Sequence, residues 1–307
     1  MTGTNMFATL INVIKGSTAV LLLSINTIVM CSILFVFAFF KLISPTKSLR
    51  DFFSRILHRL VEFWTGLNNG LWSLYRKTEW DIEIPGSLDR KGTYLVSSNH
   101  QSWVDILALQ KAFNRKIPML SFFIKHQLIY VPFLGMAWWA LDMPFMKRPT
   151  REQVKNNPSL KGKDLENARK ACEKFKTIPV SMMSFAEGTR FSRAKAKSSN
   201  SPFDNLLKPK VGGIGMVLYA LGDKLQSMID VTIVYPKKGE RDYTPTFWQL
   251  VTGQIPKIVV RARELDIPRH LLGRNFRTDR DIRRELEEWI NQVWQEKDAL
   301  LAQLKTS

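Results

Sequence analysis

Tyr94-Leu95-Val96-Ser97-Ser98-Asn99-His100-Gln101-Ser102-Trp103-Val104-Asp105 is the stretch on which the reading of this chain turns. An apolar, β-prone run closes at His100, and apolar residues at Trp103, Ile106, Leu107 and Leu109 open a helical period directly after it. His100 therefore belongs to a strand-to-helix turn. Asp105 falls in the first helical turn, where its charge suits the positive end of the helix dipole and its carboxylate can turn back to the imidazole. Imidazole exchanges protons near pH 7, and a carboxylate on one ring nitrogen leaves the other free to accept a proton from a hydroxyl. The pair is a candidate general base. Spacing alone is weak support, because an arbitrary His-x4-Asp is more often a capped helix with a solvated carboxylate.

A second stretch, Ser184-Phe185-Ala186-Glu187-Gly188-Thr189-Arg190, closes another apolar run of strand length that begins at Ile178. Asn-His-x4-Asp followed by Phe-x-Glu-Gly-Thr-Arg resembles the glycerolipid acyltransferase superfamily, which includes the 1-acylglycerol-3-phosphate (lysophosphatidic acid) acyltransferases. Three further segments carry the resemblance over about residues 80–265. Phe145-Met146-Lys147-Arg148 resembles the family's Phe-Ile-x-Arg motif, with Asp142 where a glycine is usual. Lys125-His126-Gln127-Leu128 and Pro132-Phe133-Leu134-Gly135 resemble its Lys-Lys-Glu-Leu and Pro-x-x-Gly segment. Ile229-Asp230-Val231-Thr232-Ile233 falls where Val-Pro-x-x-Ile is expected, with Asp230 replacing the proline. The runs at 141–148 and 230–236 look most similar to a bacterial inner-membrane branch related to lysocardiolipin-type enzymes.

The resemblance implies transfer of a fatty acyl group from acyl-coenzyme A or acyl carrier protein to the sn-2 hydroxyl of lysophosphatidic acid, another lysophospholipid being the alternative acceptor. It implies no cofactor beyond that co-substrate. His100, oriented by Asp105, would deprotonate the acceptor hydroxyl and return the proton to the leaving thiolate. Lys125, Arg148 and Arg190 would hold the acceptor's phosphate, arginine supplying a planar fork suited to it. Backbone N–H groups at Gly188 and Thr189 would add donors, and Glu187, kept ionised by the phosphate site, would orient Arg190 or an acceptor hydroxyl. A nucleophile elbow Gly-x-Ser-x-Gly does not occur, so no covalent acyl-enzyme is required.

The rest of the sequence bounds these expectations. A formal charge of +18 and a pI near 10.0 favour polyanionic partners: anionic lipid, phosphorylated substrates or nucleic acid. A non-catalytic basic membrane-tethered binding protein is the competing class. Such a module needs dispersed cations among aromatics and has no use for a His-Asp pair and a Glu-Gly-Thr-Arg turn at strand ends, so nucleic acid is not expected. Cys31 and Cys172 sit in dissimilar contexts and suggest no disulfide, and no zinc-ligand spacing or phosphate loop occurs; no metal is expected.

Gly16 to Phe40 carries no charge and, as a helix, would be roughly 38 Å long, enough to cross a bilayer core of about 30 Å. A signal peptide competes, but the run exceeds the usual h-region and Ser44-Pro45-Thr46 is a poor cleavage site. Lys41, Lys47, Arg50, Arg55 and Arg59 follow the run closely, whereas Lys15 alone precedes it, which puts the remainder in the cytoplasm of a bacterial inner-membrane protein. Three regions are expected: a transmembrane anchor over 1–43, amphipathic interfacial helices over 44–79, and an α/β domain over 80–307. Residues 47–76 suit a helix on anionic lipid as well as one packed on the domain. From Trp80 the pattern gives strands at 80–84, 92–97, 118–122, 143–146, 180–185, 229–235 and 256–263. Helices alternate with them near 103–113, 126–141, 163–176, 212–222 and 277–304. The expected fold is α/β, a mixed, largely parallel sheet flanked by helices, with sites at the strands' carboxyl ends. Residues 119–141 read as a core helix or a membrane-facing lid, 149–170 and 191–210 as surface excursions, and 277–304 as a docked terminal helix.

Overall fold

The computed structural model describes residues 3–74, 78–131, 133–146, 152 and 163–306. The uncharged run forms α1 (Gly3–Ile43), the chain breaks around Pro45, and the basic amphipathic stretch forms α2 (Lys47–Leu74). The two pack as a hairpin in which the Asn26 amide donates to Asn68 Oδ1 at 2.8 Å. The α/β region follows, with β1 (Glu79–Glu83), β2 (Tyr94–Ser98), α3 (Val104–Phe113), β3 (Leu120–Phe122), β4 (Ile124–Lys125), α4 (Leu134–Ala140) and β5 (Phe145–Met146). Its second part holds α5 (Lys163–Cys172), β6 (Ser181–Phe185), α6 (Arg193–Ser198), α7 (Gly212–Leu221), β7 (Ser227–Val234), α8 (Phe247–Val251), β8 (Lys257–Leu265) and α9 (Arg280–Thr306).

Six strands form one sheet in the order β1-β8-β7-β2-β6-β3, parallel throughout except where β7 meets β8. β2 lies at its centre, with Ser98 opposite Phe185 on one side and Val231 on the other, so the turns after β2, β6 and β7 open at one edge. Alternation along the strands builds two cores. Leu95, Met182 and Val259 pack with α5, α7 and α9, while Val96, Met183 and Ile258 pack with α3 and α8 on the other face.

Two expectations change in detail. Residues 145–146 do not enter the main sheet; they pair with β4 in a separate two-stranded ribbon. The helix expected over 126–141 is broken into a 3-10 turn (His126–Tyr130) and α4. Val131, just before Pro132, is extended at φ −71°, ψ 121°, the region that a following proline favours. The expected excursion at 191–210 is anchored by buried Phe203, Leu206 and Leu207. Most of the one expected at 149–170 lies outside the described residues.

α1 lies along the domain. Gly16 abuts α8 so closely that a Cβ there would stand 2.5 Å from the Trp248 ring, and Ala19 is fully buried in the α3–α8 core. Further on, Leu34 and Ala38 are buried with Ala137 and Ala140 of α4. Gly16 and Ala38 are roughly 33 Å apart on a helix. The domain therefore flanks most of the apolar run, a geometry different from an anchor standing clear of it. The opposite flank, with Leu21, Ile25, Ile28 and Phe39, is exposed, as are Phe133, Met136 and Trp139 at α4. Residues 119–141 thus contribute both to the core and to an exposed apolar face.

Both departures from the resembled motifs have structural causes. Asp142 has φ 61°, the left-handed conformation a glycine adopts freely, and its carboxylate pairs with Lys41 of α1 and accepts from Ser54 of α2 at 3.0 Å. Asp230, buried on β7, pairs with Arg263 of β8 at 3.0 Å and with fully buried Lys297 of α9 at 2.7 Å.

Candidate active site

His100 emerges from the carboxyl end of β2 in a turn fixed from several sides. The Asn99 side chain exchanges two 2.8 Å hydrogen bonds with the backbone of Ile233 on β7. The His100 N–H donates to Glu187 Oε1 at 2.7 Å, and its carbonyl accepts from the Phe191 N–H at 2.7 Å. Both backbone groups of the histidine are therefore held by the turn after β6. Its ring stacks on Phe185, centroids 4.0 Å apart and 17° from parallel.

Asp105 sits at the start of α3 and is fully buried. Its Oδ2 lies 2.8 Å from His100 Nδ1 and accepts the N–H groups of Gln101 and Ser102 at 2.6 and 2.8 Å. Its Oδ1 accepts the hydroxyl of buried Tyr235, at the end of β7. Burial, then the adjacent Asp105 charge, pushes the Tyr235 hydroxyl well above its ordinary range and keeps it a donor. With an acceptor-only carboxylate at Nδ1, that nitrogen is assigned the proton, and Nε2 becomes the free basic position. No described side chain bonds to Nε2. The imidazole is 16% exposed, so a small reacting group can reach it.

The second motif behaves differently from expectation in two respects. Glu187 does not orient Arg190; it is fully buried and accepts from His100 N–H and Leu207 N–H, the latter at 2.9 Å. Burial raises its carboxyl to about 7, against the opposing pull of those two N–H groups and of Lys297, so it is not held firmly ionised. The Gly188 N–H already bonds Phe185 O at 2.9 Å within a turn where Gly188 takes φ 71°. It is not an available donor. The Thr189 hydroxyl and the Arg190 carbonyl both accept from Lys195 Nζ at 2.9 Å. The Arg190 guanidinium lies over the exposed Trp103 ring, 5.1 Å from its centroid, which sets this cation directly beside the His100 turn.

Lys125 lies on β4 and is exposed, lining an apolar cavity of about 580 Å³ between α2, α3 and the β3–β4 segment. Ile106, Phe122, Ile124 and Trp138 are among its lining residues. No contact joins Lys125 to the His100–Asp105 pair among the described residues, and Arg148 lies outside them. Nor do the described residues contain a cluster of His, Cys, Asp or Glu able to hold a metal ion. Tyr235 and Asn99 are the site residues that sequence reasoning did not single out. Their signal was position: Tyr235 ends a strand at the same sheet edge as His100 and Glu187.

Known proteins resemble this chain in sequence and in fold. A family model described as Acyltransferase matches residues 80–235, just over half of the chain. A 2-acyl-1-lysophosphatidylinositol acyltransferase of Saccharomyces cerevisiae is 28% identical over 254 residues, 69% of this chain and 61% of that protein. A probable 1-acyl-sn-glycerol-3-phosphate acyltransferase 5 of Arabidopsis thaliana is 25% identical over 82% of this chain and 65% of its own length. The chain thus spans under two thirds of these curated relatives. The crystal structure of a 1-acyl-sn-glycerophosphate (LPA) acyltransferase, PlsC, from Thermotoga maritima superposes with a TM-score of 0.53 and 16% identity, covering 94% of this chain and 96% of that one, a likeness of fold. With its sheet, its motif turns and the matched span all in the same region, the chain belongs to the acyltransferase family.

Proposed function

We propose that this protein is a membrane-bound enzyme that moves a fatty acyl group from a thioester donor, acyl-coenzyme A or acyl carrier protein, to the free hydroxyl of a lysophospholipid, lysophosphatidic acid being the leading acceptor. The observation that carries the reading is the His100 imidazole, tied at Nδ1 to buried Asp105 and open at Nε2, with the Arg190 cation over Trp103 of the same turn. Nε2 removes the acceptor's hydroxyl proton as the oxygen attacks the thioester carbonyl. The C–S bond then breaks, and the imidazolium returns the proton to the departing thiolate. Asp105 keeps the tautomer that makes Nε2 the base and balances the imidazolium charge. The apolar cavity suits an acyl chain, and Arg190 suits the acceptor's phosphate.

The exposed flank of α1, the exposed side of α4 and the cationic start of α2 support attachment to an anionic bilayer with the α/β domain on the cytoplasmic side. A lysophospholipid with a larger headgroup is the second reading of the acceptor, because the yeast relative is named for lysophosphatidylinositol. The test is direct. Membranes containing the full chain, given labelled acyl-coenzyme A or acyl carrier protein and a panel of lysophospholipids, should form diacyl product. No product from any pairing would overturn the proposal.

A further inference from the structure

A second cavity, about 1250 Å³, opens beside the turn after β6. Thr189 and Glu187 line it, but its remaining walls come from residues 195–212 and 275–291. Val211 and Phe276, which border it, belong to the core beneath α5, α7 and α9. The apolar cavity belongs to the opposite face, with α2 and α3. The apolar pocket thus lies on one face of the sheet, and the polar cleft, which reaches the motif turn, lies on the other.

The cleft is cationic in a specific way. Lys195 is occupied by Thr189 and Arg190, and Arg283 by Glu287 at 2.9 Å. Lys208 and Lys210 are exposed and engage no side-chain partner among the described residues. Lys210 is nonetheless fixed at its root, its N–H donating to Ala186 O at 2.7 Å. Its aliphatic stem crosses Gly188, where an added Cβ would stand 3.3 Å from Cδ and 3.4 Å from Nζ. The missing side chain at Gly188 lets that ammonium reach the turn that holds His100. Lysines are point-charge donors on flexible stems, suited to several phosphates spaced along one molecule rather than to a single bidentate group.

Position decides between the two reactants. The membrane-facing elements α1, α2 and α4 pack on the side of the apolar cavity, whereas the cleft lies among α6, α7 and α9, away from them. A reactant drawn from the bilayer approaches the first side; one drawn from water approaches the second. We infer that Lys208 and Lys210 bind the phosphorylated nucleotide handle of a water-soluble acyl thioester, so that the donor is an acyl-coenzyme A. A concave cleft favours this small polyanion over the convex surface of a carrier protein. The inference rests on the acyl-transfer reading of His100.

The test separates the two. Full-length protein in detergent micelles is titrated with radiolabelled coenzyme A, with no turnover required. It is then assayed with acyl-coenzyme A and with the acyl-pantetheine thioester, which lacks the nucleotide phosphates. The variants are Lys208→Ala/Lys210→Ala and a control losing the same charge elsewhere, Lys91→Ala/Lys238→Ala; thermal melting verifies that each is folded. The cleft variant should bind coenzyme A about 10- to 150-fold more weakly, the span expected for lost charge-assisted hydrogen bonds, and its preference for acyl-coenzyme A over acyl-pantetheine should fall by the same factor. The control should do neither. Wild type that fails to bind coenzyme A, or equal losses in both variants, would overturn the assignment. A raised KM for the lysophospholipid with coenzyme A binding intact would make the cleft an acceptor headgroup site and likewise overturn it. Coenzyme A bound through these lysines without product from any lysophospholipid would instead remove the proposed reaction and leave the cleft standing.

Discussion

Asp105 receives bonds from two backbone N–H groups of its own turn and from Tyr235, the residue that follows β7, and this convergence fixes the imidazole. Tyr235→Phe leaves the ring's volume in place and removes one donor. Activity should fall on the order of 10-fold through kcat, with acceptor KM little changed, as expected for a hydrogen bond of about 1.5 kcal/mol; an unchanged kcat would show that the hydroxyl only fills space. Glu187 makes a pH prediction. Its carboxyl rises from 4.5 when unfolded to about 7 when folded, so between those values the native state binds more protons than the unfolded one. Stability should therefore decline as pH rises from about 4.5 to 7 in wild type relative to Glu187→Gln, read as a difference in denaturation midpoint; parallel curves would contradict it. At this scale the sequence disclosed His100 and Asp105, because a five-residue turn brings them together locally. It misassigned Glu187 and left out Tyr235, because their partners depend on which strands lie side by side.

Helix α9 shows how an element far along the chain supports the turn. Its Lys297 is buried without exposure, bonding the Val231 carbonyl and Asp230 on β7, whose neighbour in the sheet is β2. Removing Lys297 leaves buried Asp230 with the half-exposed Arg263 guanidinium as its counter-charge. Lys297→Met should cost about 3–5 kcal/mol of stability, and Lys297→Met/Asp230→Asn should recover much of it. Denaturant melts of the two variants measure this, and additive losses would mean that the residues act independently. The strands and helices from Trp80 onward were legible because period 2 and period 3.6 alternate cleanly there. The β4–β5 ribbon was not, since two residues hold too little pattern to declare a partner. Nor was the ion pair: Asp230 in sequence is only a departure from a motif, and its meaning depends on a helix that begins some fifty residues later.

Across the whole molecule, apolar and charged surfaces divide the work. α1 and α4 expose apolar flanks, α2 begins with cations, and the cationic cleft lies on the other side of the sheet. Full-length protein should resist extraction from membranes by salt, whereas a chain lacking residues 1–43 should be held through α2 in a salt-sensitive way, because exposed charge attraction is screened over about 10 Å at 0.1 M salt. Sedimentation with vesicles of anionic lipid measures both, and release of the full chain by salt alone would contradict an apolar attachment. The apolar run was plain in the sequence; that α1 lies along the domain was not, because Gly16 and Ala19 reveal their role only when α8 packs on them. Everything in this arrangement converges on one imidazole. The most direct measurement is the turnover of His100→Ala in membranes, with thioester donor and lysophospholipid at saturation, beside wild type of equal abundance and melting temperature. A positioned base contributes roughly 10²–10⁴-fold, so kcat should fall by at least about 100-fold; a variant that keeps more than about a tenth of wild-type turnover would show that His100 is not the base.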